Sequence, residues 1–448
     1  MIYTKFLKLL SIYLLVFYLL AEIFALLYFF SINGEWFYAH DGVRHESSEA
    51  DIGNNNDGLL THSVLHPVLG FIWRPSLPIQ AVATRKRLDL MVGVNRVPKW
   101  ADLSSNNYGF FSPNDYPFIP DRDAYIIGVF GGSVAQWFSL QGAERLKIHL
   151  KGIPKLRKKT IYIVNFAQGA FKQPQQLLIL NYFLALGQKL DFVINIDGVN
   201  ETVLAYDNIL RNYEPGMPAM QQVLPLIGLL NKNTVSADYL DSYSNLRRLH
   251  REREKLEVKM LRNTHSAALQ LIYEVYFSRV TSNYWKAATH LNEAALVSPT
   301  VPLISITQTR EIPKGNDGKL FSNLAGLWMR SSLLMNTTLE NLDVPYIHVI
   351  QPNQYFSEKK LSLQEKRIAF NSDSNFNKAV SKIYPYLLMK IGEMRAKGLN
   401  IVDATRVFDK EARLIYVDSC CHYNQLGNDL LANLIGREMA KVLKAERK

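Results

Sequence analysis

The chain has 448 residues, is 48% hydrophobic and 20% charged, and carries a formal net charge of +11. Those proportions bury a core and exclude a broadly disordered polyelectrolyte, and the length allows one large domain with insertions or two domains. The basic surplus is scattered: of its two small clusters, at 155–159 and 247–262, the second interleaves Arg and Lys with Glu as a solvated helix does, so no nucleic-acid partner is expected. Cys420 and Cys421, the two cysteines, are adjacent, which excludes a disulfide framework and any zinc-binding spacing. With no P-loop lysine and no GxGxxG pattern, no metal and no cofactor is expected.

Residues 9–30 form an apolar run interrupted only by Glu22. At about 1.5 Å per residue it matches a bilayer's hydrocarbon core of roughly 30 Å, and it is longer than a cleavable signal's apolar region. A retained signal-anchor is expected, so the membrane bilayer is itself a partner. Lys5 and Lys8 precede the run and Glu35 and Asp41 follow it. The positive-inside rule then places residues 1–8 in the cytoplasm and the main domain on the periplasmic or extracellular side. Glu22 is costly in lipid. It reads either as a protonated or snorkelling side chain, or as the contact for a partner transmembrane helix. Residues 31–120, rich in Asn, Asp, Gly, Pro and His, read as a stalk and an extended lead-in.

From 121 onward short apolar runs alternate with helix-like segments. Ala124–Phe130, Thr160–Phe166, Leu190–Ile196 and Val344–Ile350 read as buried strands, with Leu399–Val402 as a fifth and Leu177–Leu186 as a helix. This alternation predicts an α/β domain over 121–448 with a parallel sheet and crossover helices. A helical insertion is expected at about 205–320; its part from Leu240 to Leu296 is periodic, charged and poor in Gly and Pro.

The chemistry-bearing residues fall at strand ends. Ser133 follows Gly131-Gly132 at the end of the first strand and opens a helix, where free N–H groups favour the charge that an attacking serine oxygen develops. By itself Gly-Gly-Ser equally describes an N-cap. Gly169 follows the second strand, where a missing Cβ lets a backbone N–H approach a ligand. Asn200 follows the third, within Asp197-Gly198-Val199-Asn200-Glu201, where a side-chain amide can donate to an oxyanion; Asp-Gly-x-Asn alone also describes a plain turn. Asp418 and His422 lie near the C-terminus, where a carboxylate can orient an imidazole that removes the serine proton.

Serine, glycine, amide and an Asp–His pair in this chain order resemble the SGNH/GDSL hydrolase superfamily, from about residue 62 to the C-terminus. Ser133 matches its nucleophile block, with Gly-Gly-Ser where many members have Gly-Asp-Ser; Gly169, Asn200 and the Asp418/His422 pair match the other blocks. His66–Gly70, Asn107–Phe110, Lys172–Gln176 and Gln351–Tyr355 are similar to blocks of a bacterial membrane-anchored branch. The resemblance implies a flavodoxin-like three-layer α/β/α fold, a Ser133–His422–Asp418 triad, and an oxyanion hole from Ser133, Asn200 and the backbone of Gly169, with Ala170 as the alternative donor. Gln351, Asn353 and Tyr355, following the fourth strand, are the expected substrate-binding residues. The last block usually spaces Asp and His three apart; here they are four apart, which leaves open a Ser–His dyad with another orienter. The implied function is an esterase acting on an ester-bearing glycan or lipid of the cell envelope. An O-acetyltransferase tailoring an envelope polysaccharide, or a non-catalytic binding or assembly subunit keeping the fold, are the alternatives.

Overall fold

In the computed structural model, the described residues are 2–33, 36–39, 62–82, 90–93, 98–120, 123–230, 237–263, 265–296, 307 and 317–445. Of the expected stalk and lead-in over 31–120, residues 34–35, 40–61, 83–89 and 94–97 lie outside them. The chain divides into two compact units, 1–50 with 236–294, and 51–235 with 295–448.

The larger unit is built on five parallel strands: β3 (Ala124–Gly131), β4 (Thr160–Asn165), β5 (Phe192–Asp197), β6 (Tyr346–Ile350) and β7 (Ile401–Asp403). They line up in the order β4-β3-β5-β6-β7, a 2-1-3-4-5 doubly wound sheet. The strands form where apolar residues run without a break, because a sheet covered on both faces buries every side chain. All of β5 and β6 is buried. After β3 come α2 (Ser133–Gln141) and α3 (Ala143–Lys151). The chain then crosses to β4 on one side of β3 and returns through α4 (Gln175–Ala185) to β5 on the other. Right-handed crossovers in opposite directions put their helices on opposite faces. The packing agrees: α12 (Gln425–Ala445) lies against α2 and α3, while α9 (Asp317–Glu340) packs on α4, α5 (Val199–Leu210) and α11 (Asn375–Ala396). The winding direction reverses between β3 and β5, and their C-terminal ends open the crevice where such sheets bind ligands.

Part of the lead-in belongs to this unit rather than to a stalk. Strands β1 (Ser63–His66) and β2 (Gly70–Trp73) form an antiparallel hairpin, and Leu69, Phe71, Ile72, Trp73, Phe110 and Phe111 are buried in the main core. The apolar residues stand singly or in short runs among turn residues, so no period marks them in the sequence.

The smaller unit joins α1 (Ile2–Asn33) to two long helices, α7 (Ala237–Arg262) and α8 (Ala267–Leu296). The stretch Leu9–Ser31 of α1 is long and apolar enough to cross a membrane. The expected helical insertion is therefore a hairpin, and it is grouped with α1 rather than with the sheet. Helix α6 (Met220–Leu230), also within the expected insertion, stays with the larger unit.

Candidate active site

Ser133 is the first residue of α2, directly beyond β3. The preceding glycines are required by close approach. Gly131 sits at φ +139°, and a Cβ there would lie 2.1 Å from the Ile196 carbonyl oxygen of β5. A Cβ at Gly132 would lie 2.3 Å from Nδ2 of Asn200. The missing side chain at Gly132 thus makes room for the Asn200 amide beside the serine.

His422 reaches Ser133 from the opposite end of the sequence, with Nε2 2.7 Å from the serine Oγ. Its Nδ1 is 2.6 Å from Oδ2 of Asp418. An ionised carboxylate only accepts, so Nδ1 carries the ring proton and Nε2 is left as the acceptor for the serine hydroxyl. The four-residue spacing between Asp418 and His422 is accommodated because the carboxylate folds its own loop. Oδ1 accepts the backbone N–H of Cys420 and Cys421 at 3.0 Å and of His422 at 3.3 Å, which leaves Oδ2 aimed at the ring. Ser133, Asp418 and His422 are 6%, 9% and 1% exposed, so the chain of hydrogen bonds is shielded from bulk water.

The expected oxyanion donors also gather here, with partners of their own. Gly169 lies beside the serine: a Cβ on it would be 3.9 Å from the Ser133 Cβ. Its N–H donates to Oε1 of Gln136 at 3.3 Å. Asn200 donates one amide hydrogen to the Phe171 carbonyl at 2.8 Å, tying the first turn of α5 to the loop after β4, and keeps a second hydrogen.

Two residues that the sequence reading did not single out frame this corner. Gln136, one turn into α2, accepts from both Gly169 N–H and the Trp73 indole, the latter at 3.3 Å. The backbone N–H of Trp73 donates to Oε1 of Gln168 at 3.1 Å. Neither residue carries a spacing signal. A third, Glu201, accepts from Gln173 N–H at 2.9 Å, Gln176 Nε2 at 3.0 Å and Gly198 N–H at 2.8 Å, and so clamps the two oxyanion loops together. Its signal was legible as an acidic residue three positions after a helix-starting glycine. Burial, with Asp197 nearby, pushes its carboxyl up to about 8. Lys172 is buried in the same loop, its ammonium donating to the carbonyls of Pro215 and Met217, and burial lowers it to about 7.

Asn353 and Tyr355 hydrogen-bond the loop that carries Asp418 and His422, while Gln351, directly after β6, donates its backbone N–H to the Asp197 carbonyl. Asn353 Nδ2 donates to the Cys420 carbonyl at 3.1 Å and the Tyr355 hydroxyl to the Ser419 carbonyl at 2.6 Å. Gln354 Nε2 donates to the Asp418 carbonyl at 3.0 Å. These contacts brace the loop that carries Asp418 and His422. Among the described residues the buried Nε2 atoms of Gln351 and Gln168 have no hydrogen-bond partner.

Two other arrangements compete with this site and lose. Ser332, His348 and Asp197 form a second Ser–His–Asp chain, at 2.7 Å and 2.6 Å, but they are 0%, 0% and 1% exposed. There it braces β5 and β6 against α9. Cys420, Cys421 and His422 bring ligand atoms within 4.8 Å of one another. Both ring nitrogens of His422 are already engaged, so ligation would break the hydrogen-bond chain. The sequence matches no protein-family model and no curated protein.

Proposed function

We propose that the protein is a membrane-anchored serine esterase of the SGNH type, acting on an ester in the cell envelope through an acyl-serine intermediate. The observation that carries this reading is the unbroken Ser133–His422–Asp418 chain at 2.7 and 2.6 Å, at the crevice of a doubly wound sheet.

In the proposed cycle, Ser133 Oγ attacks the ester carbonyl as its proton passes to His422 Nε2. Asp418 stabilises the resulting imidazolium. The oxyanion is met by the Ser133 N–H at the helix start, by the second hydrogen of Asn200, and by the Gly169 N–H as it turns from Gln136. One such donor is typically worth about 2.7–4 kcal/mol in the transition state. His422 then returns the proton to the leaving alkoxide, and water repeats the sequence in reverse to free the acid. A sugar hydroxyl in place of that water would make the same site an O-acyltransferase. The α1 stretch Leu9–Ser31 supports an anchor in the membrane, with the larger unit on the periplasmic or extracellular side by the charge bias of its flanks.

The test is labelling of the full chain by a fluorophosphonate and turnover of a short-chain aryl ester. Ser133→Ala is expected to abolish both. Turnover that survives in that variant overturns the assignment.

A further inference from the structure

Glu22 is the one acidic or basic residue within the apolar stretch of α1, and in the fold it is the cap of another helix. Its carboxylate accepts the backbone N–H of Ala267 and Ala268 and the hydroxyls of Ser266 and Tyr38, at 2.5–3.1 Å. The negative side chain thus sits on the positive end of α8 and takes up N–H groups that a helix start leaves without partners. Ala25 and Phe29 of α1 share a small core with Ala267, against which Leu26, Ala268 and Leu271 pack. The first turn of α8, starting at Glu22, thus packs against the α1 residues Ala25, Leu26 and Phe29.

The outward face of α8 changes character along its length. Leu269, Ile272, Val275 and Tyr276 are exposed by 39–64%. At about 100° per residue they occupy roughly one third of the helix circumference. The next exposed positions are Arg279, Ser282, Asn283 and Lys286. The apolar segment from Ala267 to Tyr276 is about 14 Å long, and so is the stretch of α1 from Glu22 to Ser31. The polar residues of α8 begin about three turns beyond its capped start at Glu22. Beside this apolar segment the end of α7 exposes Glu254, Lys255, Val258 and Lys259, with the Lys259 ammonium 6.0 Å from the Tyr273 ring centre; the two lysines are long cations able to reach anionic headgroups from an apolar setting.

We propose that the first three turns of α8, with the adjoining end of α7, are immersed in the outer leaflet of an anionic bilayer. The membrane footing is then a three-helix element rather than a single anchor, and Glu22 is the pin that fixes its depth. This rests on the reading that α1 spans the bilayer.

The experiment uses the full chain reconstituted into phosphatidylethanolamine–phosphatidylglycerol vesicles containing nitroxide-labelled lipids. A fluorescent non-canonical residue replaces Val16, Ile272, Val275 or Ser244 in separate samples. Quenching at 272 and 275 is expected within about two-fold of that at 16, and about five-fold or more above that at 244. Quenching at 16 with 272 and 275 no better quenched than 244 overturns the immersion alone. No quenching at 16 overturns the spanning reading itself. Fluorescence at 272 and 275 that is blue-shifted yet unquenched means that a protein, a second copy or another chain, covers the face, and this also overturns the proposal.

Discussion

Replacing Asp418 by Asn separates the two tasks of its carboxylate. Oδ1 holds three backbone N–H groups, and an amide oxygen can hold the same three, so the loop keeps its shape. The amide nitrogen then takes the place of Oδ2, 2.6 Å from the His422 ring, and it can only donate. His422 must present a lone pair at Nδ1 and carry its proton on Nε2, facing the Ser133 hydroxyl at 2.7 Å. In that tautomer it cannot take the serine proton. The loss expected for this inversion is about 10⁴-fold in kcat, or roughly 5 kcal/mol at 1.36 kcal/mol per tenfold. Stability should fall by less than about 1 kcal/mol, since the loop's hydrogen bonds survive. Asp418→Ala differs in kind: it strands the three N–H groups at about 1–3 kcal/mol for each one left buried, and lowers stability as well as turnover. The assay is steady-state hydrolysis of an aryl ester beside chemical denaturation of each variant. An Asn variant that keeps more than about a tenth of the wild-type kcat refutes the reasoning and makes the site a Ser–His dyad.

Other consequences are as specific. Gly132→Ala places a Cβ where the Asn200 amide now sits, at 2.3 Å, and should lower kcat by about 10²–10³-fold with KM little changed. Because both changes remove the same donor, Gly132→Ala combined with Asn200→Ala should be no slower than the worse single variant; additive losses would refute the coupling. Glu201 holds its proton longer in the folded chain than in the unfolded one, whose carboxyl titrates near 4.5. The associated stability is full below that value and is lost as pH rises through about 8. Lys172, lowered to about 7, acts in the opposite sense above neutrality, so the clean window is about pH 5 to 7. Across it the wild type should lose stability on thermal unfolding and Glu201→Gln should not; parallel curves would rule this out.

The sheet was legible in the residues because a strand covered on both faces needs an unbroken apolar run, and AYIIGVF, TIYIVNF and LDFVINI have no other comfortable fate. The long hairpin was legible from its helical period. The β1–β2 hairpin was not: strands of four residues beside a His-Pro turn are shorter than any period can report. Trp73 and Gln136 escaped notice for a related reason, since neither an aromatic in a short strand nor a glutamine on a helix signals a neighbour 63 positions away. The Asp418–His422 pair was visible, but the geometry that tolerates its spacing was not. That geometry depends on one carboxylate oxygen gathering the N–H groups of the loop it belongs to, a local fold with no residue pattern of its own.

Ser133 and His422 are 289 positions apart, and only the last loop before α12 closes that distance. Synthesis in N-to-C order therefore makes the serine long before its partner. In the proposed esterase the hydroxyl would gain a proton acceptor only once the loop of Asp418 and His422 is made and α12 seats behind it, so a product truncated before that loop should be silent however much of the sheet has folded.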